Sequence, residues 1–400
     1  MTFNAITAIA VTGRRLVIRA DLNVPMHGGV VSDTTRIERF AEGLIPLLDK
    51  GASAVILSHF GRPDGVRVEA LSLAPVADAL EKALGRSVAF CPETHGEAAE
   101  QRAGALEPGE VLVCENLRFD AREEANDPEF ADALARLGDI YVNDAFSCAH
   151  RAHASTVAIA ERLPAYAGPL MIAELDALTQ ALEAPRRPAI AIVGGSKVST
   201  KIDVLQHLVK NLDAVIIGGG MANTFLAFHG IPVGKSICEP GQFETVKAIT
   251  EAAMDSGCNI VLPIDIVWAE KLEPNVEAHI DVVGGCPPQG MILDAGPGSV
   301  ERIWGLLGGA GTLLWNGPVG AFEVPPFEHA TEAIALEAAR LTRAGKLVSV
   351  AGGGDTVAAL NAAQITEAFT YVSTAGGAFL EWLEGKELPG VAALRQRELA

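Results

Sequence analysis

Cationic side chains and imidazoles recur just after the short apolar runs in the first half of this chain. ADLNVP carries Asp21 and Asn23, SHFGRP carries His59 and Arg62, ENLRF carries Arg118, and NDAFSCAHRAHAS carries His150, Arg151 and His153. Arg36 falls in the first turn of a helical segment that Ser32 or Asp33 is expected to cap, where a cation opposes the helix dipole and needs another reason to be present. An anionic ligand supplies that reason. Singly, each residue has a plainer reading: an Asx turn for Asp21 and Asn23, surface ion pairs for the arginines, hydrogen-bonded loop histidines. Together, four segment ends of one sign in a chain of formal charge −19 point to a small carboxylate or phosphate ester. Cys148, His150 and His153 are also metal-ligand types at short spacing. Structural zinc, however, takes a closed set of four, and no matching Cys/His cluster occurs elsewhere in the sequence.

The second half ends its apolar runs in glycine instead. IVGGSK holds Gly194, Gly195 and Lys197, IIGGGMA holds Gly218, Gly219 and Gly220, WNGPVGAFE runs from Asn316 to Glu323, VAGGGDT holds Gly353, Gly354, Asp355 and Thr356, and STAGGA holds Gly376 and Gly377. Glycine lets backbone amides approach a polyphosphate, and the N-terminus of a following helix adds positive dipole. Any one such loop is explained equally well by a tight turn. Five of them, with Lys197 and Lys201 spaced to share a helix face and Asp355 heading the fourth, point to a nucleotide. Neither G-x-G-x-x-G nor G-x-x-x-x-G-K-[ST] is present, which argues against a standard dinucleotide fold and an ordinary P-loop ATPase.

These residues need a scaffold that gathers strand ends. Runs rich in Val, Ile and Leu alternate with amphipathic helical segments, the pattern of parallel sheets covered by helices on both faces, so the class is α/β. Strands are expected at Leu16–Arg19, Ala54–Leu57, Val111–Cys114 and Ile140–Val142, with helices such as Thr35–Leu48 and Leu73–Ala83 between them. Further strands are expected at Ala189–Val193, Ala214–Ile217, Asn259–Leu262, Thr312–Trp315, Leu347–Val350 and Thr370–Ser373. Between the two sets, a helix over Leu170–Ala184 is closed by Pro185 and Pro188 and is expected to join two domains, with hinge points near Gly168 and Pro185.

The 400 residues suit two cores, and 49% hydrophobic against 20% charged residues excludes wholesale disorder. With 31 Lys and Arg against 50 Asp and Glu, the overall field repels nucleic acid and anionic membranes. The six scattered cysteines fit a reducing cytoplasm. No apolar run reaches the roughly 18 residues of a membrane span, and no basic N-terminal region marks a secretory signal.

RADLNVP, SHFGRP, ENLRF, NDAF..AHRAHAS, GGSKVSTKI, GGGMANTF, WNGPVGAFE, AGGGDT and VSTAGGA stand in the order found in phosphoglycerate kinases, from about Val17 to Gly385. The chain resembles that family. The resemblance implies two Rossmann-like three-layer domains with mostly parallel sheets: residues 1–168 for 3-phosphoglycerate, a connecting helix at 169–185, and residues 186–385 for MgATP or MgADP. It also implies that a segment at about 386–400 returns to the first domain. Carried over by motif, Asp21, Asn23, Arg36, His59, Arg62, Arg118 and Arg151 form the phosphoglycerate site. Gly195, Lys197, Lys201, Gly219, Asn316, Glu323 and Gly353 to Thr356 serve the nucleotide, Glu323 as ribose contact and Asp355 as the Mg²⁺ ligand.

The implied reaction moves a phosphoryl group between 1,3-bisphosphoglycerate and ADP after domain closure, with Arg36, Lys197 and Lys201 as the catalytic cations, in a cytoplasmic monomer. A dehydrogenase would want the missing dinucleotide fingerprint. A non-catalytic sensor would be free to lose Arg36, Lys197 or Asp355, and all three are present. The chain departs from the family pattern at Ser147-Cys148, at the DAGP segment Asp294–Pro297, and in a loop, Asp64–Glu69, without lysine. Beside a basic site, Cys148 is a candidate for oxidation.

Overall fold

A computed structural model describes residues 3–395. Its strands are β1 Arg15–Ala20, β2 Met26–His27, β3 Val30–Val31, β4 Ser53–Leu57, β5 Val88–Cys91, β6 Val111–Cys114, β7 Ile140–Asp144, β8 Ala165–Ala167, β9 Ala189–Val193, β10 Ala214–Ile217, β11 Asn259–Val261, β12 Asp265–Ala269, β13 His279–Val282, β14 Met291–Ala295, β15 Thr312–Asn316, β16 Val348–Gly352 and β17 Tyr371–Ser373. The chain divides into two compact units, residues 1–174 with 387–400, and residues 175–386.

The first unit is built on a six-stranded sheet in the order β5-β6-β4-β1-β7-β8, parallel throughout. Its central strands β4 and β6 are buried at every position, as strands covered on both faces must be. Helix Thr35–Asp49 turns Ile37, Phe40, Ala41, Leu44, Leu47 and Leu48 inward, the i, i+3, i+4, i+7 stripe of a helix lying on a sheet. Leu44 is 2% exposed, so Leu44→Ala is expected to cost about 2–5 kcal/mol through lost transfer energy and the cavity left behind. Residues 387–395 belong to this unit: Gly390 N donates to Ala149 O at 2.8 Å, and Arg395 bridges to Phe3. The rest of the returning segment, residues 396–400, lies outside the described residues.

The second unit repeats the plan with the parallel order β11-β10-β9-β15-β16-β17. It adds an antiparallel sheet, β13-β12-β14, that the sequence reading did not anticipate. Those strands are only partly buried, and each mixes polar residues into its run: Asp265 opens β12, His279 and Asp281 interrupt β13, and Asp294 interrupts β14. The helix expected over Leu170–Ala184 is α-helical from Pro169 to Leu178 and ends in one π turn, Thr179–Glu183. The division between the units falls within this helix, after Glu174. Among the described residues, no helix is long and apolar enough to cross a membrane.

Candidate functional site

In the first unit the four functional segments follow β1, β4, β6 and β7, which are consecutive neighbours in the order β6-β4-β1-β7. Their carboxyl ends therefore form one continuous face, the place where open α/β sheets bind ligands. Asp21 is the first residue beyond β1 and ties three elements together. Its Oδ2 accepts from Arg36 Nη1 at 2.8 Å and from Ser147 Oγ, and its Oδ1 accepts from Asn23 N in an Asx turn. Arg36 Nη1 also donates to Asn23 O at 3.2 Å. Neither expected cap on the helix that carries Arg36 holds the cap position, which is Thr34; Asp33, one residue earlier, accepts from Thr35 N at 2.9 Å through Oδ1. Ser32 donates to Pro25 O instead.

Asn23 Oδ1 accepts from Gly61 N at 3.1 Å, and Gly61 O accepts from Arg118 Nη1 at 2.8 Å, so a single glycine couples the Asp21–Arg36 pair to Arg118. Arg118 is 8% exposed; its Nε lies 3.0 Å from Glu124 Oε1 but is not aligned for a hydrogen bond. His59 is buried with Nδ1 3.0 Å from Arg19 Nη2. Burial, followed by the charges of Arg19, Arg118, His153 and Arg151, pushes His59 down to about 2, so the ring is neutral. Arg151 is exposed and donates to His150 Nε2 at 3.1 Å. Arg62 is exposed and enters none of these contacts.

The metal reading of Cys148 with His150 and His153 is not supported. Cys148 Sγ groups with ligand atoms of Asp21 and His59 instead, and Arg19 Nη2 lies 3.4 Å from that sulfur and 3.0 Å from His59 Nδ1. A guanidinium in that position excludes a metal cation by repulsion. Burial also raises the Cys148 thiol, which keeps it protonated and unreactive rather than readily oxidised.

In the second unit the glycine loops follow β9, β10, β15, β16 and β17, again neighbouring strand ends. Four of the five loops contribute to the wall of a cavity of about 350 Å³, through Gly195, Gly219, Glu323 and Asp355 among others. STAGGA does not, and neither do Lys197, Lys201, Asn316, Gly353, Gly354 or Thr356. Much of the remaining wall is apolar, with Leu272, Met291 and Leu293, and β14 of the unanticipated sheet supplies the last two. A flat apolar base suits such a wall.

The loops pack on one another at distances only glycine permits. A Cβ on Gly220 would meet Ser196 O at 2.4 Å. Gly353, at φ +95°, heads helix Gly354–Ala362, which has no side-chain cap, so its first amides are available to an anion. Asn316 Nδ2 donates to Gly352 O at 2.8 Å, and Thr356 Oγ1 accepts from Gly317 N at 2.6 Å, locking the β15 and β16 loops together.

The two lysines do not share a helix face as their spacing predicts, because Val198–Thr200 is a 3₁₀ turn rather than the start of the α-helix. Lys197 is exposed. Lys201 folds back under the glycine loops, Nζ donating to Gly194 O at 2.7 Å and Asn316 O at 3.0 Å. Burial brings its pKa down to about 8, opposed by the charge of Asp355. Sequence reasoning also missed Asp294, 2% exposed in the cavity wall. It accepts from Ala295 N and Ala330 N, each at 2.9 Å, and burial pushes it up to about 8.

One unit with Arg and His side chains gathered at its strand ends and another with a glycine-cradled cavity define a two-domain α/β protein with two candidate anion sites. The phosphoglycerate kinase family profile matches residues 6–386. Over 383 residues the chain is 58% identical to the phosphoglycerate kinase of Methylorubrum extorquens, covering 96% of each chain. It is 56% identical to that of Rhizobium meliloti over 398 residues, 99% of this chain and 100% of the other. The solved structure of phosphoglycerate kinase from Coxiella burnetii aligns with a TM-score of 0.92 at 41% identity, covering 98% of this chain and 99% of that one. The chain belongs to the phosphoglycerate kinase family.

Proposed function

We propose that the chain catalyses reversible phosphoryl transfer between the acyl phosphate of 1,3-bisphosphoglycerate and ADP, giving 3-phosphoglycerate and ATP. The observation that carries this reading is the convergence of His59, Arg118, Arg151 and the Asp21–Arg36 pair on four adjacent strand ends of an acidic chain of this family. Phosphoglycerate binds there; the nucleotide base enters the apolar cavity, with its phosphates toward Lys201 and the uncapped N-terminus of helix Gly354–Ala362.

Charge in such a transfer spreads over three equatorial oxygens, so positioning and cations matter more than covalent chemistry. Arg36, Lys197 and Lys201 supply the cations. A carboxylate nucleophile is ionised at neutral pH and requires no general base. Asp355 is an exposed carboxylate in the cavity wall, which fits a Mg²⁺ carried with the nucleotide, since that ion takes one or two protein carboxylates plus phosphate oxygens. When bound, the ion neutralises phosphate charge. Direct transfer brings the reacting atoms to about 3–3.5 Å, so both ligands must meet during turnover. Six free cysteines and the acidic surface support a cytoplasmic setting, and we propose a monomer.

The test is a coupled assay with 3-phosphoglycerate, MgATP and an enzyme that consumes the bisphosphate. Steady turnover is expected, and folded protein without turnover overturns the reading.

A further inference from the structure

The penultimate residue of β1 is Arg19, 1% exposed. A guanidinium cannot shed its charge, so burying it demands partners around its fork. Nε donates to Ser155 Oγ at 3.0 Å, Nη1 to Ala20 O, and Nη2 reaches His59 Nδ1 at 3.0 Å and Cys148 Sγ at 3.4 Å. The balancing carboxylate is held one side chain away. Ser155 Oγ donates to Glu123 Oε1 at 2.6 Å and Ser155 N to Oε2 at 3.0 Å, while Tyr141 OH donates to Ser155 O at 2.7 Å. Glu123 is itself fully buried. A buried ion network of this kind contributes little net stability, so its position directly behind His59 calls for another explanation.

Valence supplies one. Arginine only donates, so the His59 Nδ1 facing it must offer a lone pair, and a neutral imidazole that accepts at Nδ1 carries its proton on Nε2. We infer that Arg19 is a positioning residue that fixes His59 as the Nε2–H tautomer, so that the ring presents the phosphoglycerate site with a neutral hydrogen-bond donor. The inference rests on the assignment of His59 to that site. The opposite tautomer would turn a lone pair toward an anion and repel it. A fixed neutral donor recognises a ligand oxygen by direction and does so independently of pH, while Arg36, Arg118 and Arg151 supply the charge.

Long-range ¹H–¹⁵N correlation spectra of the ¹⁵N-labelled full chain test this directly, with His59 identified among the nine histidines by a His59→Gln variant. A pyridine-like Nδ1 and a pyrrole-like Nε2, unchanged from about pH 5 to 8, are expected. A protonated ring or an Nδ1–H tautomer overturns the inference and leaves the ligand assignment standing. Conversely, His59 resonances that do not move on titration with 3-phosphoglycerate overturn the ligand assignment alone.

Arg19→Met, paired with Glu123→Gln so that no carboxylate is stranded, is expected to raise Kd for 3-phosphoglycerate about tenfold. Burial and the remaining cations still hold the ring neutral in this variant, but nothing fixes its tautomer, so its two nitrogen resonances should move toward one another, with a smaller change in kcat. Arg19→Lys keeps a charge and a donor and should recover most of the affinity. A wild-type Kd together with an unmixed Nε2–H tautomer in the folded double variant overturns the inference. If that variant does not fold, the wild-type spectra decide.

Discussion

The two units place their functional residues at the same address and make them of opposite material. In each, the carboxyl ends of neighbouring parallel strands form the face. The first face is made of side chains held from behind, Arg36 by Asp21, Arg118 by Gly61 and the neutral His59 by Arg19. The second is made of backbone, with glycine loops seated on one another and a half-buried ammonium, that of Lys201, beneath them. The difference teaches what each ligand asks for. The small acid we propose for the first unit, without a base or ribose to grip, has to be held by charge and direction, whereas the nucleotide we propose for the second offers a flat base to an apolar wall and phosphates to amides.

The largest expected effect strikes the ammonium that lies directly under the glycine loops. Lys201→Ala should lower kcat by about 10²–10³, the usual cost of removing one preorganised donor to developing charge, with a smaller change in nucleotide Kd. Single-turnover kinetics and nucleotide titration separate the two. Near-normal kcat with only a raised KM would move Lys201 from catalysis to binding.

Next in size, Arg118→Ala should weaken 3-phosphoglycerate binding by about 1.5–3 kcal/mol, the range for a charge-assisted hydrogen bond, and leave nucleotide binding untouched. Calorimetry with each ligand measures both, and equal losses would dissolve the contrast between the faces. The mirror experiment adds an atom instead of removing one. Gly220→Ala puts a methyl 2.4 Å from Ser196 O, a backbone atom that cannot swing away, so a cost of about 1–3 kcal/mol should fall on nucleotide binding and on the second unit's stability. Phosphoglycerate affinity should be unchanged. A variant that binds nucleotide normally would show that the loops do not need their close packing.

The contrast also governs what was legible in the sequence. Runs such as Val111–Cys114, Ala189–Val193 and Ala214–Ile217 match strands residue for residue, because buried parallel strands are apolar on both faces. Charged strand ends and glycine loops were legible for a related reason, since they break the run abruptly. Arg19 was hidden because it sits inside such a run, where its neighbours mask the charge. Asp294 was hidden in a partly exposed antiparallel strand with no clean apolar run. The position of Lys201 could not be read from spacing, because a 3₁₀ turn replaced the α-helix on which the four-residue rule depends.

The smallest effect sharpens the comparison by pH. His59 stays neutral throughout the physiological range, so phosphoglycerate affinity should be flat where the half-buried ammonium of the other unit is titrating. The Lys201 pKa is lowered to about 8, chiefly by burial, and the Asp355 charge works in the opposite direction. The sign for activity follows: below about 8 the ammonium is charged and competent, and as pH rises through that value the proton leaves and kcat/KM for the nucleotide, which reports the free enzyme, falls. Stability runs the other way. A lysine whose folded pKa lies below its unfolded value of 10.5 burdens the fold while charged, and the burden eases as pH climbs from about 8 toward 10.5. Asp355→Asn removes the charge that holds the ammonium up, so the alkaline limb of kcat/KM should move to lower pH, measured against wild type at fixed Mg²⁺ and saturating 3-phosphoglycerate. A limb that stays in place would show that Asp355 does not act on Lys201 through charge. A limb moving to higher pH would mean that another group governs it, and the ammonium under the glycine loops would lose its assignment as the titrating cation.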